Sequence, residues 1–155
     1  MLETGFGPGI ALTEFAKNHP AVNLYGIDDS EDILTMALNR LNKVCGLRQI
    51  CLLHGEGSMI KNVQKMFDRV YSINNVTFWD DDPVYTLKHI RSQMKACGKS
   101  FVRFTRMRIE LLTQRQKCLG DSWKLFFIIQ DFSHIEIMIK QTEPNNTVCA
   151  AVVNQ

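Results

Sequence analysis

Leu2-Glu3-Thr4-Gly5-Phe6-Gly7-Pro8-Gly9 decides the fold, because an acidic residue and three alternating glycines stand where a short apolar run hands over to a helical pattern. Glycine allows a tight turn with positive φ and lets backbone N–H groups approach a ligand at a helix N-terminus. A nucleotide-like ligand is therefore expected at this loop. The dinucleotide fingerprint G-x-G-x-x-G, counted from Gly5 and Gly7, calls for a third glycine where this chain has Ile10. That departure weakens an NAD site.

Outward from the loop, short apolar runs alternate with helical stretches, the pattern of an α/β protein with a parallel sheet. Met1 to Thr4 reads as the end of a first strand, and Ile10 to Asn18 as a helix with Ala11, Leu12, Phe15 and Ala16 on one face. His19-Pro20 stops that helix, since the residue before proline avoids the helical region. Val22 to Ile27 is a second strand. Asp29 or Ser30 caps the next helix, whose apolar face runs through Ile33, Leu34, Ala37, Leu38, Leu41 and Val44 up to Gly46. A third strand at Ile50 to Leu53, a short helix at Met59 to Met66 and a fourth strand at Phe67 to Ile73 come next. Pro83 opens a helix carrying Leu87, Ile90 and Met94, and Cys97-Gly98-Lys99 turns the chain into a fifth strand, Phe101 to Thr105.

Beyond helical segments at Ile109 to Leu119 and Trp123 to Gln130, the pattern changes to strict alternation. Ile135, Ile137 and Ile139 alternate with Glu136, Met138 and Lys140, which implies a strand with unequal faces. Glu143-Pro144-Asn145-Asn146 is turn chemistry, and Thr147 to Val153 is β-rich, so a C-terminal antiparallel hairpin is expected. The whole chain, 1–155, is expected to form a single domain.

A second carboxylate stands at the end of the second strand, in Gly26-Ile27-Asp28-Asp29-Ser30. Asp28 there can accept hydrogen bonds from both hydroxyls of a ribose, as in Rossmann-type sites generally. Acidic residues from Asp28 to Asp32 also suit a solvated helix start, where the dipole favours negative charge.

Glu3-x-Gly5-x-Gly7-x-Gly9 together with Asp28 is similar to the first motifs of class I, Rossmann-like, S-adenosylmethionine-dependent methyltransferases, of the small bacterial type. The resemblance runs on through the chain in order. Leu53-His54-Gly55-Glu56-Gly57 looks like the family's third motif, with Glu56 where Asp is commoner. Phe67 to Trp79 with Asp82-Pro83 resembles its fourth-strand region, and Met94 to Ser100 its L-K-P-G-G turn, with Ala96 and Cys97 where Pro and Gly are customary. Asp131-Phe132 resembles the turn before its sixth strand. The resemblance implies a three-layer sandwich around a mostly parallel sheet of order 3-2-1-4-5-7-6, with S-adenosyl-L-methionine as cofactor. It implies a cofactor site made of Glu3, Gly5, Phe6, Gly7, Gly9, Asp28, Asp29, Glu56, Gly57 and Asn74. In it the loop wraps the methionine part, Asp28 takes the ribose, Glu56 lies at the adenine, and Asn74 lies near the amino-acid portion. Phe78 and Trp79 either wall the pocket or pack in the core. Because the chain begins a few residues before the glycine loop, most of the first strand is expected to be missing, as in a truncated member.

Composition bounds the rest. A formal net charge of +2 gives no strong nucleic-acid signal, and a small-molecule substrate is the expected partner. The five cysteines include no C-x-x-C pair, so neither zinc nor a disulfide framework is expected, and reduced thiols fit a cytoplasmic location. No stretch approaches the roughly 18 apolar residues that span a bilayer, so no membrane is expected. His19, His54, His89 and His134 are scattered without an assignable carboxylate partner, and no catalytic base is named. Asp81-Asp82-Pro83-Val84-Tyr85 differs from the N-P-P-Y motif of enzymes that methylate exocyclic amines of bases or glutamine amides. Arg103, Arg106 and Arg108 form a basic face that is either solvated or turned to an acidic substrate. The sequence leaves two functions open, an active methyltransferase or a non-catalytic relative that binds nucleotide weakly or associates through exposed sheet or apolar surface, with an NAD-dependent oxidoreductase behind both because of Ile10.

Overall fold

The computed structural model describes residues 1–44, 50–73, 83–105, 132–140 and 147–153. Its elements are β1 (Leu2–Thr4), α1 (Ile10–Asn18), β2 (Leu24–Asp28), α2 (Glu31–Leu41), β3 (Ile50–His54), a 3-10 helix (Gly57–Asn62), β4 (Phe67–Ile73), α3 (Pro83–Ser92), β5 (Met94–Thr105), β6 (Ser133–Lys140) and β7 (Thr147–Val153). They build one sheet of order β3-β2-β1-β4-β5-β7-β6, the order implied by the resemblance. β1 to β5 pair in parallel, while β7 runs antiparallel to both β5 and β6. The connection between β6 and β7 lies outside the described residues.

Side chains alternate across the sheet, and each face is covered by helix, which gives three layers. On one face Leu2, Ile27, Val70 and Val102 pack with Leu87 and Ile90 of α3 and with Ile60 and Val63 beside them. On the other Leu24 and Phe6 pack with Leu12 and Ala16 of α1 and Ala37 and Leu41 of α2. Each fully buried Leu, Ile or Val side chain among them contributes about 1.5–3 kcal/mol relative to exposure. Gly26 in β2 exists for this packing: an added Cβ would stand 2.7 Å from Phe6, 2.9 Å from Leu52 and 3.1 Å from Leu12.

Three local expectations are corrected. The short helix expected at Met59 to Met66 is a 3-10 helix that starts two residues earlier, over Gly57–Asn62, with Met59 N–H bonded to the Glu56 carbonyl and Val63 N–H to that of Ile60. The buried residues Gly57, Ile60 and Val63 recur every third position, the period at which a 3-10 helix stacks its side chains, while Met59 and Met66 are exposed. Met94 is not on α3, which ends at Ser92; it starts β5 opposite Phe67 and reaches the same core from there. The turn at Cys97-Gly98-Lys99 lies inside β5 as an irregularity, with Cys97 at φ 62 and pairing resuming at Arg69↔Lys99.

Candidate functional site

The parallel order reverses around β1, whose neighbours are β2 and β4, and a crevice at the carboxyl ends of such strands is where open α/β sheets bind ligands. The glycine loop fills that position. Gly5, Gly7 and Gly9 all have positive φ, at 64°, 51° and 73°. Gly5 N–H bonds back to the Ile27 carbonyl at 2.7 Å, and Gly9 N–H closes a turn onto the Phe6 carbonyl at 3.1 Å. Gly9 then acts as N-cap of α1 in the left-handed region. It lies against α2, where an added Cβ would stand 3.0 Å from Ala37 Cβ. Around Gly7, by contrast, an added Cβ would meet nothing within 4 Å. The loop is therefore packed at its helix end and open at its middle, with backbone N–H groups at a helix N-terminus. Arg40 of α2 braces it from outside, its Nε donating to the Pro8 carbonyl at 2.9 Å.

Two carboxylates stand beside the loop. Asp28, 6% exposed, accepts from Gly7 N–H through Oδ2 at 2.8 Å and from Ser30 N–H through Oδ1 at 3.2 Å. A carboxylate offers about four lone-pair positions, so accepting capacity remains on both oxygens. Glu3, 2% exposed, projects to the α1 side, where Tyr71 OH donates to its Oε2 at 2.9 Å. Its other oxygen has no hydrogen-bond partner among the described residues. Burial raises the Glu3 carboxyl to about 8, against the donated hydrogen bond from Tyr71, which lowers it, and with the nearby Asp28 charge, which raises it further. Among the described residues the ion pairs are Lys17–Glu14 and Lys95–Asp68, both exposed, so neither buried carboxyl has a cationic partner. Thr4 Oγ1 and Ser72 Oγ, in register on β1 and β4, are also buried without a hydrogen bond. Such groups ordinarily cost about 1–3 kcal/mol each, and these lie at the same strand ends.

Comparison with known proteins places this geometry. The sequence profile of the methyltransferase domain family matches residues 1–98. The chain belongs to this family. As a class I methyltransferase it shares a family cofactor, S-adenosylmethionine. It is 31% identical over 150 residues to the uncharacterised methyltransferase YdaC of Bacillus subtilis, covering 97% of this chain and 80% of that protein. In fold, this methyltransferase is similar to phosphoethanolamine N-methyltransferase 2 of Haemonchus contortus, solved with phosphomonomethylethanolamine and S-adenosylhomocysteine, with a TM-score of 0.76 at 15% identity. The match covers 99% of this chain but 48% of that one, so the chain spans about half the length of that structure. A methyltransferase of Aquifex aeolicus described as SAM-dependent matches with a TM-score of 0.75 at 14% identity, over 99% of this chain and 81% of that one.

Of the site residues expected from the methyltransferase motifs, the structure places Glu3, Gly5, Gly7, Gly9 and Asp28 together at the carboxyl ends of β1 and β2 and the loop that follows β1. Phe6 belongs to the loop through its backbone, since its side chain is buried in the α1–α2 core. Asp29 is exposed, its carbonyl 2.9 Å from His54 Nε2, and Gly55 N–H bonds to the Asp28 carbonyl at 2.8 Å, so the third motif is tied directly to the second. Glu56 is exposed at the start of the 3-10 helix, and Gly57 is buried beneath it. Asn74, Phe78, Trp79, Asp81, Asp82, Arg106, Arg108 and Asp131 lie outside the described residues, as do Gly46 and the segments 109–119 and 123–130. The sequence reading missed Tyr71 and Arg40. Arg40 gave no signal beyond a basic residue in the last turn of α2. Tyr71 could have drawn notice as a phenol inside an apolar strand, but its partner became visible only with the β1–β4 register.

Among the described residues no helix is long and apolar enough to cross a membrane, and no group of His, Cys, Asp and Glu is arranged to hold a metal ion.

Proposed function

We propose that this chain binds S-adenosylmethionine between the glycine loop and the ends of β1 and β2, and transfers its methyl group to a small-molecule acceptor. The observation that carries the reading is the pair of buried carboxyls, Glu3 and Asp28, beside a positive-φ glycine loop with no cation facing them among the described residues. Buried carboxyls of this kind ionise most readily beside a group of opposite sign. A ligand bearing a sulfonium and an ammonium group supplies it. The pyrophosphate of a dinucleotide would instead bring no cation to these carboxyls and would oppose their ionisation.

The residues present fit the cofactor. Asp28 keeps lone pairs for ribose hydroxyls, the open face of Gly7 lets backbone approach the ligand, and Glu3 offers a buried carboxyl that an ammonium on the amino-acid arm would ionise. Glu56 and Gly57, tied to Asp28 through Gly55, stand on the adenine side. When bound, the cofactor supplies a methyl carbon made electrophilic by the adjoining sulfonium. The task left to the protein is alignment of the acceptor and exclusion of water, which needs no fixed base. The modest net charge of +2 suits a small acceptor better than a nucleic acid.

The test is calorimetric titration of the chain with S-adenosylhomocysteine beside NAD. Micromolar binding of the first alone is expected. Binding of NAD in preference, or of neither ligand by a chain with a cooperative melt, would overturn the assignment.

A further inference from the structure

The proposed function gives Tyr71 no task, yet its placement is specific. It lies in β4 directly across from Glu3 in the parallel β1–β4 register, so both side chains project to the α1 face. Its ring packs against Phe15 of α1 at 5.3 Å, a contact that a phenylalanine would make equally well. The hydroxyl is the addition. A buried phenol costs free energy unless it is hydrogen-bonded, and this one spends its proton on Glu3 Oε2, leaving Oε1 without a partner among the described residues. Burial and the Glu3 carboxylate both raise the Tyr71 hydroxyl far above its ordinary range, so it stays protonated and can donate to the carboxylate when Glu3 ionises.

We propose that Tyr71 is a positioning residue for the cofactor, holding Glu3 by Oε2 so that the other carboxylate oxygen is presented to the ammonium group of the cofactor's amino-acid arm. This rests on the reading that S-adenosylmethionine occupies the glycine loop. The charges around Glu3 favour such a role. Asp28 faces it from β2 and Tyr71 from β4; α1 contributes the uncharged ring of Phe15, whose centroid lies 5.6 Å from the His19 ring. The amino terminus is turned aside to the Asn23 carbonyl. With burial dominant and Asp28 nearby, Glu3 keeps its proton up to about pH 8. An arriving ammonium favours the carboxylate, and so does the Tyr71 hydroxyl. Ligand binding near neutral pH therefore drives a proton off Glu3, and Tyr71 makes that loss easier.

The experiment is calorimetric titration with S-adenosylhomocysteine, which carries the same ammonium group, at pH 7 in phosphate and in Tris, and across pH 6 to 9. Different buffer ionisation heats report the protons released. The wild-type chain is expected to release about one proton per ligand at pH 7 and little at pH 9, following a carboxyl that titrates near 8. Tyr71→Phe is expected to bind about tenfold more weakly at pH 7, the loss typical of one hydrogen bond to a charged group, with the midpoint of its affinity–pH curve displaced upward. In a Glu3→Gln background the same Tyr71→Phe change should leave the pH dependence unaltered. Wild-type affinity and midpoint in Tyr71→Phe would reduce Tyr71 to packing and overturn the inference alone. So would ligand binding by the wild-type chain without proton release at pH 7, a result that stands even if the variant fails to fold. Absence of any binding by the folded wild-type chain would instead remove the cofactor reading on which the inference rests.

Discussion

Alanine at Gly9 and alanine at Gly7 separate two costs that the loop geometry combines. Both residues have positive φ, 73° and 51°, a conformation that costs an L-residue with a Cβ about 1–2 kcal/mol. At Gly7 that is the whole cost, because the new Cβ meets nothing within 4 Å. At Gly9 the Cβ stands 3.0 Å from Ala37 Cβ and 3.2 Å from Ala37 Cα. Ala37 is fully buried and its Cα is main chain, so the neighbour has no rotamer to yield and α1 must move away from α2. Overpacking of this kind adds about 1–3 kcal/mol. Gly9→Ala should thus lose about 2–5 kcal/mol and Gly7→Ala about 1–2, a difference carried by the α1–α2 contact. Urea unfolding followed by circular dichroism measures both, with unchanged denaturant slope as the sign that the midpoint reports stability. In a thermal melt, chains of 150–250 residues lose about 2–4 °C per kcal/mol, so Gly7→Ala should melt roughly 2–8 °C early and Gly9→Ala about twice that. Equal losses, or a larger loss at Gly7, would refute the close approach of the two helices.

Asp28→Asn keeps the shape but replaces an acceptor oxygen with a donor facing either Gly7 N–H or Ser30 N–H, and it removes the charge; affinity for S-adenosylhomocysteine should fall at least about tenfold by calorimetry, and an unchanged constant would remove Asp28 from the site. Stability should depend on pH through Glu3: between about pH 4.5 and 8 the folded state holds a proton that the unfolded state has lost, so stability declines as pH rises through that window. Glu3→Gln cannot titrate, and its melting temperature should therefore gain on the wild type from pH 5 to 8; a constant difference would show that Glu3 is not held protonated. In the 3-10 helix, Ile60→Ala should cost about 2–5 kcal/mol and the exposed Met59→Ala under about 1 kcal/mol, and reversal of that ranking in urea unfolding would refute the inward placement of Ile60.

Much of the local geometry of the candidate site was legible because its parts are local. The glycines announce a backbone conformation by lacking a Cβ, and Asp28 announces a strand end by following Leu24 to Ile27. The bounds of α1, β4 and β7 were readable for the same reason, since Pro20, the apolar period and the turn residues act within a few positions of the boundary. Failures came where a local pattern admits two outcomes. Apolar residues at Met59, Ile60, Val63 and Met66 suit an α-helix, and it was packing of Ile60 and Val63 against the sheet that selected a period of three. Met94 suits a helical face, and it was pairing with Phe67 that made it a strand.

The sequence by itself therefore determined the alternation of strands and helices, the glycine loop and the carboxylate at the end of β2, because each is written in spacing along the chain. Only the tertiary structure decided what those groups touch. Glu3 and Tyr71 are 68 positions apart, and nothing short of the β1–β4 register brings hydroxyl to carboxyl. Burial then sets their chemistry. A carboxyl that the sequence could name as acidic becomes, with water removed and no cation beside it among the described residues, a group that holds its proton until about pH 8.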